Sequence, residues 1–170
     1  PLKLAVVPYK VFNTSQRIWL YWKNYTDIDR TQSCTFINKY NITQDYMYYW
    51  WNTLLAGDKE RTLFYGRFYS DVGPRLGWMI VSDPPGGESR QDYFLKMILK
   101  YKEKYCSVFF VTHLNADVQT GCEMYVRNNA IQECGSPPAN CTDYYEKHCR
   151  NKTTVYNSTC ETQVENLMKS

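Results

Sequence analysis

The sequence predicts an all-β fold: an eight-stranded antiparallel up-and-down barrel, with helical segments packed outside it toward the C-terminal end. Three observations carry that prediction. Short apolar runs of strand length recur along most of the chain, separated by turn residues at hairpin spacing. Aromatic residues, which favour strands, make up 16% of the composition, with 16 Tyr, 7 Phe and 5 Trp among 170 residues. Seven cysteines are scattered without one Cys-x-x-Cys pair, a pattern suited to disulfide staples and not to a zinc framework.

The elements follow in order. Arg17–Tyr25 (RIWLYWKNY) is apolar on both faces and opens the barrel. Cys34–Ile42 and Asp45–Leu55 come next, and the Ala56-Gly57-Asp58-Lys59 turn leads into Arg61–Ser70. Gly73-Pro74 precedes Leu76–Ser82, and Pro84-Pro85-Gly86-Gly87 breaks the chain before Asp92–Lys102. Ser107–Leu114 and Gly121–Arg127 complete the set. After Pro137-Pro138 the period changes: Cys141–Arg150 and Glu161–Lys169 carry apolar residues at helical spacing, with Val164, Leu167 and Met168 on one face. The reading is a single domain, with residues 1–16 as a lead-in, 17–128 as the barrel and 129–170 as the C-terminal turn and helical segments.

Composition also bounds function. The net charge of +3 is small and evenly spread, which argues against nucleic acid as a partner. No apolar run is long enough for a membrane-spanning helix. Six sequons, at Asn13, Asn24, Asn41, Asn140, Asn151 and Asn157, exceed chance several-fold and predict a secreted, disulfide-bonded glycoprotein, a mature chain freed of its signal peptide. No G-x-S-x-G, no H-E-x-x-H and no close His–Cys–acid grouping is present, so no enzyme is predicted. The two histidines, His113 and His148, read as a strand-end residue and a helix-surface residue, and no metal or cofactor is expected. An eight-stranded barrel has room for one small ligand, and aromatic walls suit an apolar one.

The residues then resemble a known family, the salivary lipocalins of blood-feeding ticks. The resemblance is carried by Cys34, Cys106, Gly121-Cys-Glu-Met-Tyr125, Pro138-Ala-Asn-Cys141 and Cys160, and it spans roughly residues 17–160. It implies bridges Cys34–Cys160 and Cys106–Cys141, and a third, Cys122–Cys149, as in many members. Parity leaves Cys134 as a free thiol, read as buried and inert in preference to pairing between chains.

Members that bind histamine or serotonin carry C-D-[VIL] followed by E-L-[WY]. Here the first triplet is Cys106-Ser107-Val108, so the acid is lost, while Glu123 survives ahead of Met124-Tyr125. One carboxylate cannot offset the burial of a monoamine's charge, so amine scavenging is disfavoured. Glu123 either touches ligand or pairs with a barrel residue such as Arg17 or Lys96.

The resemblance implies an interior lined by Leu20, Trp22, Leu95, Met97, Leu99, Phe109, Val111 and Tyr125, with Ser107 and Glu123 as polar spots. Such a lining suits a sterol, a fatty acid or an eicosanoid. Within the family the chain looks most like the Japanin-type branch, whose members bind cholesterol and modulate host dendritic cells. The expectation is a monomeric secreted salivary protein that acts on host immune defence through a bound apolar molecule. The alternative is an inhibitor of a host protein, complement or a receptor, acting through the loops near Ala56–Glu60 and Asp83–Ser89.

Overall fold

The computed structural model describes residues 7–24, 32–70, 76–86, 93–114 and 119–168. Tyr25, the Gly73-Pro74 turn, Gly87, the Gly87–Ser89 part of the second loop and Asp92 lie outside the described residues. The strands are β1 Ile18–Lys23, β2 Gln32–Ile42, β3 Tyr46–Leu55, β4 Asp58–Tyr69, β5 Trp78–Ser82, β6 Tyr93–Lys102, β7 Cys106–His113, β8 Gln119–Arg127 and a short β9, Thr153–Thr154. Every neighbour pairing from β2 through β8 and on to β1 is antiparallel, and β1 also pairs with β2. Strands β1 to β8 thus form a closed barrel. Closure pairs every strand on both sides and leaves no edge.

The turn chemistry explains the register. Ala56 and Gly57, with φ of 51° and 86°, form the two-residue link that pairs Leu55 with Asp58. Two positive φ values match the right-handed twist of a hairpin, and Gly57 takes its value at no steric cost. Side-chain alternation then divides the barrel wall into two apolar clusters. One fills the interior and includes Leu20, Tyr49, Phe68, Met79, Met97, Phe109 and Tyr125. The other lies outside the wall, beneath the C-terminal elements, and includes Trp19, Phe36, Val108, Met124, Tyr145 and Tyr156.

Among the described residues four helices accompany the barrel: α1 Val7–Phe12, α2 Asn128–Cys134, α3 Ala139–His148 and α4 Cys160–Met168. Helix α3 packs on β6, β7 and β8, α2 on β8, and α4 on β2. Three disulfides pin these segments to the wall: Cys34–Cys160, Cys106–Cys141 and Cys122–Cys149, with Cα separations of 5.1, 6.4 and 6.1 Å. Bridges closing loops of this length contribute roughly 3–5 kcal/mol each in the chain-entropy account.

Among these elements the structure corrects the sequence reading in four places. Helix α1 stands where a plain lead-in was expected, and α2 and β9 were not anticipated. Cys134 is free as expected but exposed, not buried, because it sits on the outward side of α2 while Ala130 and Ile131 face the wall. No helix among the described residues is long and apolar enough to cross a membrane.

Candidate functional site

The two ends of the barrel interior differ. At one end α1 lies against the opening. Phe12 stacks on Phe109 (centroids 5.7 Å apart) and on Phe68 (6.3 Å), and Phe109 meets Tyr125 edge-on at 5.8 Å. Arg127 holds α1 there by donating from Nη2 to the Lys10 and Val11 carbonyls at 2.9 and 3.2 Å. Ser107 is buried at this end, beside a void of only about 10 Å³.

The opposite end holds a cavity of about 190 Å³, lined by Gln32, Tyr49, Trp51, Phe64, Phe94, Leu95, His113 and Glu123. Phe64 and Phe94 pack at 5.1 Å and Tyr49 and Phe64 at 5.8 Å, so the walls are aromatic. One side is polar. Glu123 is 2% exposed and accepts a hydrogen bond from the Tyr125 hydroxyl at 3.0 Å. Lys23 is 4% exposed, is the cross-strand partner of Glu123 on β1, and donates from Nζ to Gln32 Oε1 at 2.8 Å. Burial, then the charge of the Glu123 carboxylate, pushes the Tyr49 phenol well above its ordinary value, so Tyr49 is a neutral hydroxyl at any physiological pH. An apolar chamber with a few convergent polar groups is the usual form of a small-molecule site.

Leu95 and Glu123 line this cavity, as two of the ten residues singled out from the sequence. Leu20, Met97, Leu99, Phe109, Val111 and Tyr125 face the interior but pack against one another beneath it. The open space therefore lies nearer the rim than the level of Met97, Phe109 and Tyr125, where the sequence reading placed it. Ser107 faces inward at the closed end, away from the cavity.

Trp22 is a correction. Its ring is outside the wall, 5.4 Å from Tyr145, with the Lys152 ammonium 4.0 Å above it. The reason is a register shift in β1: Leu20 pairs with inward Tyr125, but Trp22 pairs with outward Met124. The same shift turns Lys23 inward. Neither proposed partner of Glu123 faces it, since Arg17 lies over Phe36 at 5.2 Å and Lys96 over Trp78 at 5.5 Å, both outside.

Tyr49, Trp51, Phe64, Phe94, Gln32, Lys23 and His113 were missed or read as ordinary. The alternation Met47-x-Tyr49-x-Trp51 on β3 was a usable signal, hidden because its neighbours Tyr48 and Trp50 are aromatic too.

Closed antiparallel topology, an aromatic chamber at one end and a helix outside the wall together define a lipocalin-like fold. No family model and no curated protein matches the chain. Among solved structures it is similar to Japanin from Rhipicephalus appendiculatus bound to cholesterol, with a TM-score of 0.59 and 11% sequence identity over 94% of this chain and 100% of that chain. At that identity the likeness carries the fold and nothing finer.

Proposed function

We propose that this chain is a secreted binding protein, not an enzyme, that takes a neutral, largely apolar molecule at the barrel end opposite α1. One observation carries the reading: an aromatic chamber lined on its polar side by Glu123 and Gln32, with the buried Lys23 bonded to Gln32 and in cross-strand register with Glu123. Opposite charges in cross-strand register offset one another, so neither a cation nor an anion gains a full counter-charge. A hydroxyl or carbonyl on an apolar body suits Tyr49, Gln32 and Glu123 better. The resemblance of the sequence to tick salivary lipocalins, and the likeness in fold to a cholesterol-bound Japanin, support a sterol ahead of a fatty acid or eicosanoid. The sequence resemblance alone supports a salivary role against host immune defence, with dendritic cells as the target.

The chamber is smaller than the roughly 300–1,000 Å³ usual for drug-sized ligands. A sterol therefore requires the layer beneath to give way. Met97 follows Leu95 inward along β6, and its cross-strand partner on β5 is Met79. Both are unbranched thioethers, able to change shape at low cost. The packed lower interior equally supports a second reading, inhibition of a host protein through the outer surface.

The experiment is native mass spectrometry of the purified protein, with solvent extraction of any bound lipid, followed by titration with cholesterol. Saturable binding that Phe94→Ala or Leu95→Ala weakens supports the site. No bound lipid and no cholesterol binding would move the function to the surface.

A further inference from the structure

A second and larger cleft, of about 390 Å³, lies outside the barrel between α2 and the start of α4. Its floor is aromatic: Tyr21 and Tyr156 stack with centroids 5.3 Å apart and planes 22° from parallel. Ile131 adds apolar surface, and Gln132 Nε2 donates to Glu161 Oε1 at 3.2 Å across the helical rim. Gly135 and the pair Asn157 and Ser158, the first two residues of the sequon Asn157-Ser-Thr159, complete the wall.

We infer that Asn157 is a glycosylation site and that the first sugars of its glycan occupy this cleft. The sequon is exposed. The Thr159 hydroxyl and amide both donate to Asn157 Oδ1, at 2.5 and 2.9 Å, while Nδ2 makes no hydrogen bond among the described residues. Modification joins Nδ2 to C1 of a lipid-diphosphate-linked oligosaccharide. The C1–O bond breaks, the diphosphate leaves with the electron pair, and Nδ2 gives up one proton. The apolar face of an N-acetylhexosamine ring packs on aromatic rings such as Tyr21 and Tyr156. Its hydroxyl and acetamide groups suit Gln132 and Glu161.

Other sequons are less suited. Asn13 uses both amide atoms, donating to the Tyr9 hydroxyl at 3.0 Å and accepting from Lys39 Nζ at 3.1 Å. Asn24 accepts from the Cys122 amide. Asn140 lies in the first turn of α3, beside the buried, disulfide-bonded Cys141. Asn41 and Asn151 are exposed but do not line the cleft.

The test is independent of the barrel ligand. The whole protein is produced in a secretory eukaryotic host and in a bacterial host that adds no glycan, each as wild type and as Asn157→Gln. Peptide mass mapping is expected to find Asn157 occupied. Hydrogen exchange of the α2 amides is expected to be several-fold slower in the glycosylated wild type than in Asn157→Gln from the same host. Trimming to a single N-acetylglucosamine should keep that protection, together with a melting-point gain of roughly 2–4 °C. The two bacterial proteins should be alike, which separates loss of the sugar from loss of the side chain. An unmodified Asn157 would overturn the inference. So would an occupied Asn157 whose glycan leaves α2 exchange unchanged, or bacterial proteins that differ as much as the glycosylated pair.

Discussion

One alternation of side chains, running along the same eight strands, produces a plug at one end of the barrel and a chamber at the other. At the plugged end the inward residues meet a helix: Phe12 fills the space that Phe68 and Phe109 leave, and Arg127 ties down the α1 carbonyls. At the other end no described helix covers the inward aromatics, and Gln32, Tyr49 and Glu123 line the chamber with Lys23 beside them. Burying polar groups is tolerable there because each has company, whereas an apolar plug needs none. Barrel topology alone therefore does not decide where a ligand goes. That is decided by what caps each end.

The largest effect expected from disturbing this contrast is at the plug. Phe12→Ala removes a fully buried ring and should cost about 3–5 kcal/mol in a guanidinium titration with the disulfides intact. A loss below about 1 kcal/mol would mean that α1 is a detachable flap and that the two ends are less different than they look.

Next comes the polar rim. Lys23→Met leaves the buried Glu123 without its cross-strand cation, at a cost of roughly 3 kcal/mol. Adding Glu123→Gln to that variant should recover most of the loss, since a neutral amide needs no counter-charge. If the single and double variants unfold at the same denaturant concentration, the two residues are not coupled and the rim is not a charge-balanced unit.

These two ends were unequally legible in the sequence. The strands were readable because apolar runs and turn residues alternate on schedule, and the outer helices because Val164 and Leu167 fall at helical spacing. The bridges came from family resemblance and not from spacing. Trp22 was misplaced because a one-residue shift in pairing after Leu20 has no signature in RIWLYWKNY, where both faces are apolar. Lys23 was missed for the same reason: a lysine near a strand end looks like solvent-facing charge. Helix α1 is only six residues long, with Pro8 and four β-branched or aromatic residues, so its local preference is weak and packing on the barrel end decides its shape.

A smaller effect separates the ends by pH. The Tyr49 phenol at the chamber end has its pKa raised by burial and by Glu123, and Tyr145 outside the wall is raised by the same two causes. The folded state therefore keeps these protons longer than the unfolded chain does. Their stabilising contribution is complete below the unfolded value of 10.0 and is lost as pH rises above it. Each should contribute a downward slope of about 1.4 kcal/mol per pH unit above that point. Tyr49→Phe should remove one such contribution, measured as denaturant midpoints between pH 9 and 11. An unchanged slope would show that the Tyr49 hydroxyl is reached by solvent.

The smallest expected effect is none, and it tests the rim most directly. A monoamine entering the chamber brings one positive charge, and Glu123 is the single carboxylate among the described residues that line it. Lys23 already lies in register with that carboxylate, so an incoming ammonium meets a site that is close to neutral. Desolvating the amine then goes largely uncompensated. Ser107, where amine-binding relatives of the resembled family carry an acid, is at the plugged end beside a void of about 10 Å³, too far from the chamber to help. Calorimetry with histamine or serotonin should show no saturable heat at micromolar concentrations. Lys23→Met, which frees the carboxylate, should be the variant in which weak amine binding first appears. A dissociation constant below about 1 μM for the unaltered chain, worth roughly 8 kcal/mol, would mean that another acid faces the chamber and that the chamber is an anionic site.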